Sequence, residues 1–248
     1  VMTSQSQIGN VHQETEKLNP PIPVTTHMSA NTSTTVEDFI SLSQELEEEK
    51  RIKGQVRLYN VDNSDRVESD SKTFLRRTLV TYGLKKSLRV LRDSLSGEDA
   101  RGTHLLRGPF GTGKSHQMVV LYHCFKNPEA ARQRFGEEVT GFAPALPAEA
   151  TTIPISLQYS QPDELWEPFF DEFEYDPGSF DTGGFPAIED IVEAVGNETV
   201  ALFVDELERW FNTLSDNRQE TTEGFLQSLL EAASEHENLH VFVSILQE

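Results

Sequence analysis

Residues 103–125 read THLLRGPFGTGKSHQMVVLYHCF and contain the segment that decides the fold. Within this stretch, Gly108–Ser115 fits the phosphate-binding loop pattern G-x-x-x-x-G-K-[ST]. Two leucines precede the loop as the end of a short strand, and apolar residues follow it at helical spacing. This order suits phosphate binding because a glycine-rich backbone can turn its N–H groups toward an anion at the positive end of a helix. An ordinary glycine-rich turn between strand and helix is the alternative interpretation.

The loop predicts a set of residues that contact a nucleotide. They are Gly108, Pro109, Phe110, Gly111, Thr112, Gly113, Lys114, Ser115 and His116. Lys114 is expected to reach the β- and γ-phosphates and to act in catalysis, and the Ser115 hydroxyl to ligate Mg²⁺. ATP is favoured over GTP because the sequence lacks the guanine-specific motif N-K-x-D. A histidine at the position of His116 more often packs against the helix start than acts in chemistry.

A second motif follows further along the chain. Residues 199–204 (TVALFV) form an apolar run typical of a strand buried on both faces, and Asp205 and Glu206 follow it directly. In a nucleotide site the aspartate would hold the Mg²⁺ shell and the glutamate would polarise the attacking water. An apolar strand that ends in acids is common on its own. Together with the phosphate loop, however, the pair favours water as the nucleophile and therefore hydrolysis.

The last apolar run, residues 240–246 (HVFVSIL), predicts a further buried strand that carries Ser244. In ATPases of the additional-strand type, a polar residue on this strand senses the γ-phosphate. Ser244 is the first candidate and Gln247 the second, although a plain polar residue near a strand end explains Ser244 equally well. The predicted fold class is α/β, a P-loop NTPase of the additional-strand type with a three-layer core around a parallel sheet.

The composition bounds the class of protein. Asp and Glu number 41 against 21 Lys and Arg, giving a net charge of −20, which disfavours broad binding to nucleic-acid backbones and fits the acidic surfaces of halophile proteins. One cysteine, Cys124, excludes an intrachain disulfide and a cysteine-rich zinc cluster, and it is expected to be buried. No stretch approaches about 18 consecutive apolar residues, so the predictions are a cytoplasmic location and no membrane partner.

The chain divides by composition into three parts. Residues 1–35 are rich in polar residues and proline and are predicted to be a disordered tail. Residues 36–98 are predicted to be a helical N-terminal region that begins with a helix at 36–53, and residues 99–248 to be the ATPase core.

Within the N-terminal region, residues 54–72 are turn-rich and are interpreted as a linker or surface loop. Residues 73–95 are predicted to be helical with an interruption at Gly83. Leu75, Leu79, Leu84, Leu88, Leu91 and Leu95 form the predicted apolar stripe. The densest cluster of basic residues is also found here, and a polar helix face and a nucleic-acid contact are both open.

Together these segments resemble a family of AAA+-like ATPases, domain of unknown function 499. Residues 78–84, 110–116 and 121–123 match the family's T-Y-x-T-x-G-L-like helix, its F-G-x-G-K-[ST]-H loop and its L-Y-H helix end. The resemblance is taken to span about residues 73–248. It implies ATPases found beside DNA methyltransferases in prokaryotic anti-phage and restriction-like systems. The implied partners are such a methyltransferase or other defence proteins, and copies of the same chain.

The sequence also departs from that arrangement. A complete additional-strand core has a fifth strand beyond the phosphate-loop strand, followed by a helical lid, whereas four core strands are predicted here. A fragment, a split gene or an isolated domain is therefore expected. Nothing in the sequence selects between Arg209 and Arg218 as an arginine finger.

The expected function is that of an ATP-hydrolysing motor or remodelling domain that uses ATP and Mg²⁺. The alternative is a nucleotide-operated switch or binding module with slow or no turnover. A third possibility, an inactive truncated product, predicts poor folding because the exposed edge of a central strand favours aggregation.

Overall fold

The computed structural model describes residues 55–97, 102–178 and 184–246 and shows an α/β fold. Its four strands are β1 (Thr103–Gly108), β2 (Thr151–Ser156), β3 (Val200–Asp205) and β4 (Leu239–Leu246). They form one parallel sheet in the order β1-β4-β3-β2. The predicted tail at 1–35 and the predicted helix at 36–53 lie outside the described residues.

Nine α-helices are present in the described part of the chain. They are α1 (Ser71–Arg77), α2 (Tyr82–Leu95), α3 (Lys114–Lys126), α4 (Pro128–Phe135), α5 (Phe142–Ala145), α6 (Glu167–Glu172), α7 (Ile188–Val195), α8 (Leu207–Phe211) and α9 (Asp216–Glu235). None of these helices is long and apolar enough to cross a membrane.

The sheet lies between two apolar cores, because alternate residues of its strands point to opposite faces. On one face, Phe203 and Phe242 stack at 4.7 Å and pack with α1 to α5. On the other face, Leu202 and Val241 pack with α6, α7 and α9. The fully buried β3 confirms the prediction of a strand covered on both sides, and the parallel strands with helices on both faces confirm the predicted α/β class.

The helical N-terminal region differs from the sequence prediction in where it breaks. The interruption lies between Arg77 and Tyr82, and Gly83 lies inside α2. The helix restarts there because the side chain of Thr81 accepts a hydrogen bond from the Leu84 N–H at 3.2 Å and caps the new helix. Leu79 falls in the break and is 79% exposed, so its assignment to the apolar stripe was wrong.

From residue 55 onward, the segment interpreted as a linker or surface loop contains regular turns and buried residues. Two short 3₁₀ turns, Leu58–Asn60 and Val67–Ser69, occur there, and Leu58 and Glu68 are buried. The buried Asn60 side chain donates to Oε1 of Glu68 at 2.9 Å. This segment therefore contributes to the core beside α3.

Strand β1 lies at one edge of the described sheet and, among the described strands, pairs with β4 alone. The opposite edge is β2, which carries Pro154 as predicted. Proline lacks an N–H donor, and an edge strand has a side on which no neighbouring strand needs that donor.

Candidate functional site

The predicted phosphate loop connects β1 to α3. Gly111 and Gly113 have φ values of 78° and 82°, and no atom lies within 4 Å of a Cβ built on either. Glycine is favoured there by backbone conformation, since left-handed φ is costly for other residues. Gly113 is also the N-cap of α3 and supplies no side-chain acceptor, so the first N–H groups of the helix have no side-chain cap. The loop thus presents backbone donors at a helix N-terminus.

Lys114 folds back over this loop. Its Nζ donates to the carbonyl oxygens of Gly108 at 2.8 Å and Pro109 at 3.0 Å. The Thr112 hydroxyl also donates to the Pro109 carbonyl, at 2.8 Å. The ammonium group has only neutral acceptors in these contacts, so a phosphate oxygen would offer it a stronger, charge-assisted hydrogen bond.

The acid pair is positioned by the neighbouring strand β4. The buried Ser244 hydroxyl donates to Oδ1 of Asp205 and accepts a hydrogen bond from the Glu206 N–H at 3.1 Å. Ser244 also pairs in register with Leu106 of β1, just before the phosphate loop. A single hydroxyl on the strand between β1 and β3 therefore fixes both acids relative to each other.

Glu206 follows the strand in a strained conformation. Its φ of 63° is left-handed, which is uncommon outside glycine, and its Oε2 is buried with no hydrogen-bond partner among the described residues. Burial, with a further contribution from Asp205, raises the pKa of Glu206, while Arg209, Arg57 and Lys114 oppose the rise. Because β1 pairs with β4 and β4 with β3, the loop that follows β1 and the acid pair that follows β3 lie at the same edge of the sheet.

The two candidate arginine fingers lie in different surroundings. Arg209 is exposed and close enough to Glu206 to stabilise its carboxylate. Arg218 instead faces Glu164, with Nε 3.9 Å from Oε1, and donates to the carbonyl of Pro162. Of the two, Arg209 is the one whose charge stabilises the Glu206 carboxylate.

A cleft of about 620 Å³ opens beside the loop, between α2 and the outer edge of β1. Lys86, Arg107 and Lys114 line it, with apolar surface from Val90 and Leu105. No Asp or Glu side chain contributes to its lining, although the chain carries 41 of them. The cleft is therefore suited to an anionic ligand that also carries apolar surface.

Two histidines of α3 connect this helix to the N-terminal region. His116 Nε2 lies 3.1 Å from the Thr78 hydroxyl, as expected for a histidine that packs at the helix start. His123 contacts the Glu68 carbonyl through Nε2 at 2.8 Å and the Ser71 hydroxyl through Nδ1 at 2.9 Å. Cys124 is fully buried on the same helix, as predicted, and burial raises the pKa of its thiol.

Sequence reasoning missed a cationic residue at this edge of the sheet. Arg57 donates from Nη1 to the hydroxyls of Tyr59 and Tyr159, and it also acts electrostatically on Glu206. The sequence signal was an arginine two residues before Tyr59, in a segment interpreted as a linker. Its distance along the chain from Glu206 hid the relationship.

No group of three or more His, Cys, Asp or Glu side chains that could hold a metal ion occurs in the described ranges. Ser115 and Asp205 would supply only two oxygen ligands. This fits Mg²⁺, which commonly takes one or two protein carboxylates together with substrate phosphates and water.

Residues 43–145 match the family model of the DUF499 N-terminal domain. The match supports the resemblance drawn from the motifs and includes the phosphate loop and α1 to α5. It is shorter than the span of 73–248 expected from the motifs, and Asp205, Glu206 and Ser244 lie outside it. A comparison with curated proteins finds no match.

Proposed function

We propose that this chain binds Mg²⁺–ATP at the phosphate loop and hydrolyses it. The observation that carries the proposal is that the predicted loop after β1 and the acid pair after β3 lie at the same carboxyl edge of a parallel sheet, with Ser244 of β4 between them. Ligands of open α/β sheets bind at that edge. The strand order adds support, since β4 lies between the loop strand β1 and the acidic strand β3 as an additional-strand core requires.

Each component of the loop has a role in binding. The backbone N–H groups at the start of α3 and the Lys114 ammonium would hold the phosphates. The Ser115 hydroxyl and the Asp205 carboxylate would hold Mg²⁺, which when bound neutralises charge on the phosphates. Asp205 suits this role because Ser244 fixes its orientation through Oδ1. The acid-free cleft beside the loop offers room for the nucleoside.

Glu206 is the proposed base that orients the attacking water. Its Oε2 has no described partner, and burial raises the pKa of the carboxyl group, so the side chain is disposed to accept a proton. The Ser244 hydroxyl contacts the carboxylate of Asp205 and the backbone N–H of Glu206, which supports a part in γ-phosphate sensing through these residues.

The experiment that tests hydrolysis compares Glu206→Gln with Glu208→Gln. Glu208 is an exposed residue on α8, and the two variants have the same net charge. Glu206→Gln should retain Mg²⁺–ATP binding and lower steady turnover by about 10²-fold or more, the usual contribution of a general base. Glu208→Gln should turn over like the parent chain. Equal turnover in the two variants would contradict the role of Glu206, and binding without turnover in the parent chain would favour a nucleotide-operated switch.

The cellular role is proposed on the family resemblance alone. The resemblance implies a motor or remodelling domain in a prokaryotic defence or DNA-modification system, assembled from several copies and partnered with a DNA methyltransferase. The match at residues 43–145 supports the family and not this role. Co-purification of a tagged chain with proteins encoded beside it, compared between parent and Lys114→Ala, would test this role.

A further inference from the structure

Arg57 is held at the candidate site by a segment that the phosphate-loop hypothesis does not use. It immediately precedes the turn Leu58–Asn60, whose Leu58 side chain is fully buried. Asn60 ties the turn to Glu68, and the Glu68 carbonyl contacts His123 of α3. The backbone next to Arg57 is therefore anchored to the helix that follows the phosphate loop.

The guanidinium group is oriented by neutral partners. Nη1 donates to the Tyr59 hydroxyl at 3.2 Å and to the Tyr159 hydroxyl, and Nη2 donates to Gln55 Oε1 at 2.6 Å. The two tyrosine rings pack 3.8 Å apart, and the guanidinium carbon lies 5.6 Å from the Tyr159 ring centroid. No carboxylate forms an ion pair with Arg57 among the described residues. Its positive charge is thus oriented but not neutralised by these contacts.

Strand register places this cation beside the acid pair. Ser156 of β2 pairs with Asp205 of β3, and the N–H of Leu157 donates to the Asp205 carbonyl at 3.2 Å. The chain then turns, with the Tyr159 N–H bonded to the Ser156 carbonyl at 2.9 Å. Tyr159 consequently lies at the end of β2 next to Glu206, and the charges of Arg57 and Glu206 stabilise each other.

The negative charge of the proposed site explains why a cation such as Arg57 would be needed there. A terminal phosphate would add negative charge to an edge that already carries Asp205 and Glu206, and like charges at short range repel. In the proposed site, the β-phosphate of a diphosphate would be held by the loop, further from Glu206 than a terminal phosphate. A charge that offsets Glu206 should therefore matter more for a triphosphate than for a diphosphate.

We propose that Arg57, held by Tyr59 and Tyr159, is a positioning residue that offsets the Glu206 charge and so lets the site accept a nucleoside triphosphate. The inference rests on the proposed function, because it assumes that the terminal phosphate lies beside Glu206. It gives the N-terminal segment a direct part in distinguishing triphosphate from diphosphate.

A double-mutant cycle tests the inference without requiring turnover. Binding of Mg²⁺ with the non-hydrolysable analogue AMP-PNP, and of Mg²⁺–ADP, is measured calorimetrically for the parent, Arg57→Ala, Glu206→Gln and the double variant. Arg57→Ala should weaken AMP-PNP binding about tenfold and ADP binding less than about twofold. In the Glu206→Gln background, the loss for AMP-PNP should fall to less than about twofold, because the charge to be offset is absent.

Three further variants separate charge from folding. Arg66→Ala removes the same charge from an exposed position of the same segment and should leave the preference between the two nucleotides unchanged. Arg57→Lys should retain most of the preference. If Arg57→Ala unfolds, Tyr159→Phe takes its place, since Tyr159 is 44% exposed and its loss removes only an anchor of the guanidinium.

The outcomes distinguish this inference from the proposed function. A folded parent chain that binds neither nucleotide overturns both. Nucleotide binding by the parent with an equal loss for AMP-PNP and ADP in Arg57→Ala overturns the positioning role alone, as does a loss that persists unchanged in the Glu206→Gln background. An unaltered Arg57→Ala variant does the same.

Discussion

Ser244 donates a hydrogen bond from its hydroxyl to Oδ1 of Asp205, and this contact joins β4 to the acidic end of β3. The Ser244 hydroxyl oxygen also accepts a hydrogen bond from the backbone N–H of Glu206, the residue with the left-handed backbone conformation. Because Asp205 and Ser244 are buried, loss of the hydrogen bond between them costs more than loss of a bond between exposed groups. The geometry of the acid pair is therefore set by the strand that lies between it and the phosphate-loop strand.

Ser244→Ala should consequently damage both stability and Mg²⁺–ATP binding. Loss of the hydroxyl leaves the Glu206 N–H without its acceptor, which should lower the free energy of unfolding by about 1–3 kcal/mol. Mg²⁺–ATP affinity should fall about tenfold as Asp205 loses its fixed orientation. Denaturant unfolding and a Mg²⁺ titration of nucleotide binding measure the two effects. Ser234→Ala, on the exposed side of α9, is the control. Parent-like behaviour in both measurements would show that Ser244 is only a polar residue within a strand.

The buried histidines predict that the protein loses stability in acid. Burial lowers the pKa of His240 to about 4 from its ordinary value of 6.5, so the unfolded chain binds the proton first as the pH falls. The stability that comes from keeping His240 neutral is fully present above pH 6.5 and is lost as the pH falls from about 6.5 to 4. Over this range the free energy of unfolding should fall by about 3 kcal/mol. His240→Leu, which also removes the unpartnered Nδ1, should flatten the free energy of unfolding across this pH range.

Urea unfolding of the parent chain and His240→Leu at several pH values checks this prediction. His236→Leu, at the less buried end of α9, should keep the slope of the parent chain. An identical slope in His240→Leu would show that His240 does not titrate in this range. His123, whose pKa burial also lowers to about 4, should supply the slope that remains.

His123 itself should be important for folding rather than for chemistry. His123→Leu would leave the Glu68 carbonyl and the Ser71 hydroxyl without their ring partner in a buried joint. The expected cost is about 2–4 kcal/mol of unfolding free energy, from two disrupted hydrogen bonds. Circular dichroism during denaturant unfolding measures it. A change below about 0.5 kcal/mol, the range of neutral surface substitutions, would contradict the role of this joint.

Much of the sheet could be predicted from the sequence because its strands are short apolar runs with distinct ends. The run at 199–204 is buried on both faces as expected, and the polar residues that follow it lie at the carboxyl edge. The turn between β1 and α3 was also predictable, since Gly111 and Gly113 adopt a left-handed backbone that favours glycine.

The remainder depended on contacts that sequence spacing does not encode. The low helix propensity of glycine predicts a break at Gly83, but the cap formed by Thr81 decides where α2 begins. Arg57 reaches Glu206 only because β2 returns the chain to the same edge beside β3. Long-range placement of this kind follows from tertiary structure and not from a local pattern.

Mg²⁺–ATP binding to the purified chain decides whether the loop around Lys114 is a nucleotide site. Calorimetry at low and at high salt should show saturable binding by the parent chain. Binding should weaken about 100-fold or more in Lys114→Ala, where the charge-assisted phosphate contact is lost. Lys126→Ala, at the exposed end of the same helix, should bind like the parent. A folded parent chain that does not bind Mg²⁺–ATP, or a Lys114→Ala variant that binds it equally well, would contradict the account.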